Sequence, residues 1–281
     1  MGAGEPQILG PGKLERHSNF RSSLVEKRNI DVWLPEGYDA NRDQPYSVLY
    51  LHDGQNLFEP DLAFAGVDWG IHESLSELIG AGRARETIAV GIWNTPQRLL
   101  RYMPRRPFEL SKDKEAFNLF VKRHGGSPTS DKYLRFIVSE LKPFIEERYT
   151  VSRSRDDTFI MGASMGGLIS LYAVCEYPSV FGGAACLSTS WTIAGDAFLD
   201  YLKSHLPKGG GHRFYFDYGL EAEIEGYTDF QDSATALAIS SGYIEDATWS
   251  VRVFPDHDHS ERSWRSRVSI PLEYLLGDHN S

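Results

Sequence analysis

The feature of this 281-residue chain that most restricts its fold is an alternation between short apolar runs and amphipathic segments. Tyr46–Leu51, Thr87–Ile92, Thr158–Met161, Ala184–Leu187, Arg213–Phe216 and Trp249–Phe254 are each of strand length. Such runs suit a parallel sheet covered on both faces. Between them, Leu134, Ile137, Val138, Leu141 and Ile145 repeat at helical spacing, which predicts a helix over about 131–148. A second helix follows residue 164, carries Leu168, Leu171, Tyr172 and Cys175 inward, and stops before Pro178. Residues 230–239 and 263–276 read as further helices, the latter kinked or restarted by Pro271. An antiparallel strand is expected over 24–34, ending at Pro35-Glu36-Gly37. Strands alternating with helices specify an α/β chain with a mostly parallel central sheet and right-handed crossovers. No break in composition divides it, so one domain is expected over 1–281. The exception to the rhythm is 94–130, long and rich in Arg, Pro and aromatic residues, which reads as a lid or pocket wall inserted into that domain.

Charge and cysteine usage narrow the class further. The net charge is −10, from 29 basic and 39 acidic residues, which disfavours nucleic acid or an anionic membrane as a partner. Arg98, Arg101, Arg105 and Arg106 are the one place to look for a local basic patch. No apolar run approaches the roughly 18 residues of a membrane span, and Met1–Pro6 lacks the pattern of a secretory leader. Cys175 and Cys186 sit in apolar segments and read as buried free thiols. A cytoplasmic protein is the expectation.

Three stretches carry chemistry. Gly162-Ala163-Ser164-Met165-Gly166-Gly167 fits the G-x-S-x-G pattern, in which a serine occupies a sharp, strained strand-to-helix turn. Small residues two positions either side let strand and helix approach, and the turn aims the Met165 amide at a substrate oxygen. Here an apolar strand precedes the motif and a helix follows; the alternative is a glycine-rich turn without catalysis. In Leu51-His52-Asp53-Gly54-Gln55, the Gln55 amide is the expected second oxyanion donor, while His52 reads as a brace for the loop. In Phe254-Pro255-Asp256-His257-Asp258-His259-Ser260, His259 stands where a general base belongs if the order is serine, acid, histidine. His257 and His259 with their flanking aspartates also suit zinc, although the other histidines are scattered. For the acid, Glu221 in the turn after Gly219 is preferred. Asp217 is the alternative, although inside a strand it would rather tie down neighbouring groups, and Glu223 ranks behind.

Together these residues resemble the putative-esterase (esterase D-like) family of α/β-hydrolases, which includes feruloyl esterases, siderophore esterases and mycolyltransferases. The resemblance runs from about Val32-Trp33-Leu34-Pro35 to the C-terminal helix, and its most specific stretches are Leu49–Phe58, Gly162–Gly167 and His259–Trp264. It implies a single-domain α/β-hydrolase fold with Ser164 as nucleophile, His259 as base, Glu221 as acid, and the amides of Met165 and Gln55 as oxyanion donors. Many relatives carry Asp in the acid slot, and this chain has none just after Gly219. Trp191 and Tyr102 resemble pocket-lining aromatics, although either could equally be core. The expected activity is a cofactor-free, metal-free serine esterase acting on a small-molecule ester through an acyl-enzyme. The alternatives are acyl transfer on the same triad, a catalytically silent binding protein, and a metal-dependent hydrolase around His257 and His259.

Overall fold

The computed structural model describes residues 7–111, 114–221 and 225–277. Its strands are β1 (Gln7–Ile8), β2 (Gly12–Phe20), β3 (Arg28–Pro35), β4 (Ser47–His52), β5 (Thr87–Ile92), β6 (Thr158–Ala163), β7 (Gly183–Leu187), β8 (Arg213–Gly219) and β9 (Trp249–Phe254). They form one sheet in the order β1-β2-β3-β5-β4-β6-β7-β8-β9. β1, β2 and β3 pair antiparallel, β3 meets β5 antiparallel, and every pairing from β5 to β9 is parallel. β4, β5 and β6 are buried along their whole length, which is why their sequences run apolar without alternation. β9 is an edge strand, and its exposed half carries Arg252.

The helices are α1 (Ile71–Gly80), α2 (Arg98–Tyr102), α3 (Arg105–Leu110), α4 (Glu115–His124), α5 (Ser130–Phe136), α6 (Lys142–Arg148), α7 (Met165–Glu176), α8 (Trp191–His205), α9 (Tyr227–Ser240), α10 (Glu261–Arg267) and α11 (Ser269–Leu276). A π-helical turn, Ile137–Leu141, joins α5 to α6, so the helix expected over about 131–148 is present with one widened turn. The sheet separates two apolar cores. One takes Tyr133, Leu134, Leu168 and Phe198 from α5, α7 and α8; the other takes Leu75, Trp264, Leu272 and Leu276 from α1, α10 and α11. None of the helices among the described residues is long and apolar enough to cross a membrane.

Several elements differ from the sequence expectation. The strand expected over 24–34 begins at Arg28, and its partner β2 was not foreseen, because only Leu14 and His17 of its largely polar run are buried. The C-terminal helical stretch breaks at Val268, before Pro271 rather than at it. Pro271 then sits in the first turn of α11, where its missing N–H costs no helical bond. Residues 98–102, 105–110 and 115–124 are helical, and Tyr102, Phe108 and Phe120 turn into the core. The four arginines of that region make no free basic patch: Arg98 pairs with Asp53, Arg101 with Glu26, Arg105 with Glu109 and Arg106 with Glu176.

The chain leaves β4 for β5 on one side and later enters β6 on the other. The loops after β4 and β6 therefore meet at a switch point at the carboxyl ends of the strands, the place where such sheets bind ligands.

Buried histidines couple this fold to pH. Desolvation is the leading cause that lowers the pKa of His17, His72 and His212 below 6.5. The unfolded chain therefore binds protons at these sites before the native state does, and stability falls as pH drops below 6.5. Urea midpoints measured on either side of that pH should decrease on the acid side. Midpoints that rise on acidification would contradict the neutral burial of these rings.

Candidate active site

Ser164 closes the turn between β6 and α7 with φ 59° and ψ −123°, a strained conformation for a residue with a Cβ. The turn is this tight because Gly162 packs on Gly166: a β-carbon at Gly162 would lie 2.7 Å from the Gly166 carbonyl carbon. The Ser164 N–H donates to the Leu187 carbonyl at 2.8 Å, which ties the strained residue to β7. Met165 is the first residue of α7, so its amide has no acceptor one turn back within the helix and stands at the positive end of the helix dipole.

The second wall is the loop after β4. Asp53 adopts φ 56° and ψ 47°, and Gly54 is pressed against Gly91, where a β-carbon would lie 2.7 Å from the carbonyl carbon. Arg98 grips the Asp53 carboxylate with both Nε and Nη2 at 2.7 Å, and the Asn94 side-chain amide donates to it at 2.6 Å. Burial alone would raise the Asp53 carboxyl, but the Arg98 guanidinium and Asn94 outweigh it and hold it below the ordinary value. The Asp53 N–H donates to the Tyr102 hydroxyl at 3.2 Å. His52 is fully buried with its Nδ1 2.8 Å from the Tyr133 hydroxyl, and burial pushes its pKa down to about 3. It braces the loop as a neutral ring. Gln55 lies on the 3₁₀ turn that follows, its side-chain oxygen accepting from the Asn94 N–H at 3.2 Å.

The third wall is the loop from β9 to α10. His259 packs edge-on against Trp264, 5.1 Å between ring centres. His259 is exposed at the mouth of the cleft, yet desolvation by the walls is the largest of the causes lowering its pKa below 6.5. Arg267 and Arg98 act in the same direction and Asp258 opposes them. The Asp258 carboxylate itself accepts from the Ser260 and Ser263 hydroxyls. His257 faces elsewhere, taking a bond from Arg267 Nη1 at 3.0 Å and stacking on Phe254. Among the described residues no three His, Cys, Asp or Glu side chains come together as a metal site.

Ser164 and His259 line one cleft of about 420 Å³, together with Asp53, Gln55, Asn56, Asn94 and Arg98. A family model described as putative esterase matches residues 22–280. The chain belongs to the putative esterase family. The esterase is 29% identical to the YbbA protein of Bacillus subtilis (strain 168) over 206 residues, which cover 72% of this chain and 73% of that one. Its fold is similar to that of a ferulic acid esterase, with TM-score 0.67 at 19% identity, covering 96% of this chain and 99% of the other. It is also similar to the enterobactin esterase FES from Shigella flexneri, with TM-score 0.68 at 17% identity, covering 96% of this chain and 60% of the other. The fold is that of the α/β-hydrolases.

Phe64, Trp69 and Trp264 give the esterase its aromatic cleft wall. Of these, sequence reasoning singled out only the segment holding Trp264. Phe64 and Trp69 lie in a loop without periodicity, so no local pattern marked them. Trp191 and Tyr102, which resemble pocket aromatics but could equally be core, are core. Trp191 is 1% exposed, stacks on Phe216 and donates to Gln231, while Tyr102 is 0% exposed beside His52. Neither lines the cleft, because both side chains are buried in the core.

Two of the candidate acids can be placed. Asp217 lies inside β8, fully buried, and its Oδ1 accepts from Arg267 Nη2 at 2.9 Å. Glu221 lies in the exposed turn beyond β8, where its N–H donates to the His257 carbonyl at 3.1 Å. Glu223 lies outside the described residues. Among the described residues no carboxylate is hydrogen-bonded to the His259 ring. Asp217→Asn should leave the Arg267 charge buried without its counter-ion and cost on the order of 3–5 kcal/mol. Removing both, as Asp217→Leu with Arg267→Met, should cost less than either single change in a denaturation cycle. A single variant as stable as wild type would mean that the pair is not buried as described.

Proposed function

We propose that the esterase cleaves a small-molecule carboxylic ester through an acyl-enzyme on Ser164, with His259 as base. The observation that carries this reading is the strained Ser164 facing the same cleft as His259. As Ser164 Oγ bonds to the ester carbonyl carbon, His259 takes the serine proton and the carbonyl electron pair moves to oxygen. The amides of Met165 and Gln55 receive that oxyanion. Collapse breaks the bond to the alcohol, which leaves with the proton from His259. Water then repeats the sequence on the acyl-enzyme, again losing its proton to His259. No cofactor or metal enters these steps. Glu221 is the proposed acid, supported by the bond between its turn and the histidine loop and by the engagement of Asp217 with Arg267. The aromatic wall of Phe64, Trp69 and Trp264 suits an ester bearing an aromatic or apolar group, in keeping with the ferulic acid and enterobactin esterases among the structural neighbours.

Ser164→Ala should retain the wild-type melting temperature and lose ester hydrolysis by roughly 10³-fold or more. A fluorophosphonate should label wild type at Ser164, and His259→Ala should be nearly as damaging, while His257→Ala keeps most activity. Persistent labelling of the alanine variant, or the opposite ranking of the two histidines, would overturn the assignment.

The acid and the pH profile give a separate check. Glu221→Gln should lower kcat by roughly 10²-fold or more with little change in thermal midpoint. The acid limb of kcat/KM reports the base of the free enzyme. With His259 held low, activity should be lost only as pH falls through a value below 6.5. A limb above that value would assign the base elsewhere.

A further inference from the structure

The nucleophile touches a second serine. Ser190 Oγ lies 3.0 Å from Ser164 Oγ, and the Ser190 N–H donates to the Ser164 carbonyl at 3.2 Å. Ser190 is 8% exposed and stands at the start of α8, in a short loop that the fold grips on every side. Ser188 has φ 42° and donates its N–H to the Asp217 carbonyl at 2.7 Å. Its hydroxyl oxygen accepts from Trp264 Nε1 at 3.0 Å and Arg267 Nη2 at 3.1 Å. The Thr189 hydroxyl donates to the Cys186 carbonyl at 3.2 Å, and Gly167 of α7 packs so closely that a β-carbon there would lie 3.0 Å from Thr189 Oγ1. The Ser190 hydroxyl is therefore held against the reacting oxygen by a rigid frame, and none of the chemical steps above uses it.

We propose that Ser190 is a positioning residue whose hydroxyl donates to Ser164 Oγ and fixes the rotamer of the nucleophile; this rests on Ser164 being the nucleophile. A serine oxygen offers one proton and two lone pairs. For attack, the Ser164 proton must point to the base and one lone pair to the carbonyl carbon. A hydroxyl that accepted from Ser164 would turn that proton away from His259. One that donates occupies the remaining lone pair and leaves both productive directions open. It also selects one of the three staggered wells that an unrestrained serine would sample.

The test compares Ser190→Ala and Ser190→Thr with wild type in aryl-ester kinetics, in the rate of inactivation by a fluorophosphonate with the label mapped by peptide mass spectrometry, and in thermal midpoint. Ser190→Ala should lower kcat and the inactivation rate by the same factor, about 3- to 10-fold for one neutral hydrogen bond. KM and midpoint should be unchanged, and threonine should restore both rates. Should alanine cost the fold, Ser190→Cys, of similar size and a poor donor, should show the same loss. Rates at or above wild type in the alanine or cysteine variant, with label still on Ser164, overturn the positioning role alone. Label on a residue other than Ser164 in wild type overturns the nucleophile assignment as well.

Discussion

The arrangement of the site depends on one buried ion pair. Asp217 and Arg267 are both almost wholly removed from water and bonded at 2.9 Å. Burying the two charges is expensive, and an apolar pair of similar volume would often serve stability as well. What the pair supplies is position. Through Arg267, α10 is locked to β8, to the Ser188 hydroxyl and to His257, and Trp264 on the same helix bonds Ser188. The loop holding His259 is thereby suspended between β9 and α10. Gly219 lets it close down, since any β-carbon there would collide with the His257 carbonyl oxygen.

A second pair does the same for the opposite wall. Asp53 sits in a left-handed conformation at the end of β4, and two hydrogen bonds from Arg98 hold it there with help from Asn94 and Tyr102. Arg98 and Asn94 come from the segment between β5 and α5, so the long insertion contributes to the cleft by gripping its loop rather than by offering aromatic surface. Two arginines thus frame the site from opposite sides. Their positive charges add to desolvation, the larger effect, in disfavouring protonation of His259.

Much of this was legible in the residues. The fully buried strands show as continuous apolar runs because both faces are covered, and the strand–Gly-x-Ser-x-Gly–helix context showed because the tight turn tolerates so few residue types at 162 and 166. β2 was invisible because an antiparallel strand near the sheet edge buries only part of one face. Trp191 and Tyr102 stayed open between pocket and core because an aromatic residue near a motif reads alike in either place. Four clustered arginines stood out as the one candidate patch because three of their carboxylate partners, Asp53, Glu26 and Glu176, lie elsewhere in the chain.

The local sequence by itself determined the alternating α/β architecture, the strained turn at Ser164 and the candidate histidine after the last strand, since each depends on periodicity or on residue types within a few positions. Only the tertiary structure decided which carboxylate is consumed by Arg267, which histidine faces the cleft, which aromatics wall it and that Ser190 meets Ser164. Several of those outcomes rest on contacts between residues far apart in the chain, 26 positions for Ser164 and Ser190, 50 for Asp217 and Arg267 and 79 for Ser188 and Arg267. No local pattern encodes such contacts, because they exist only once the parallel sheet has brought the ends of its strands together.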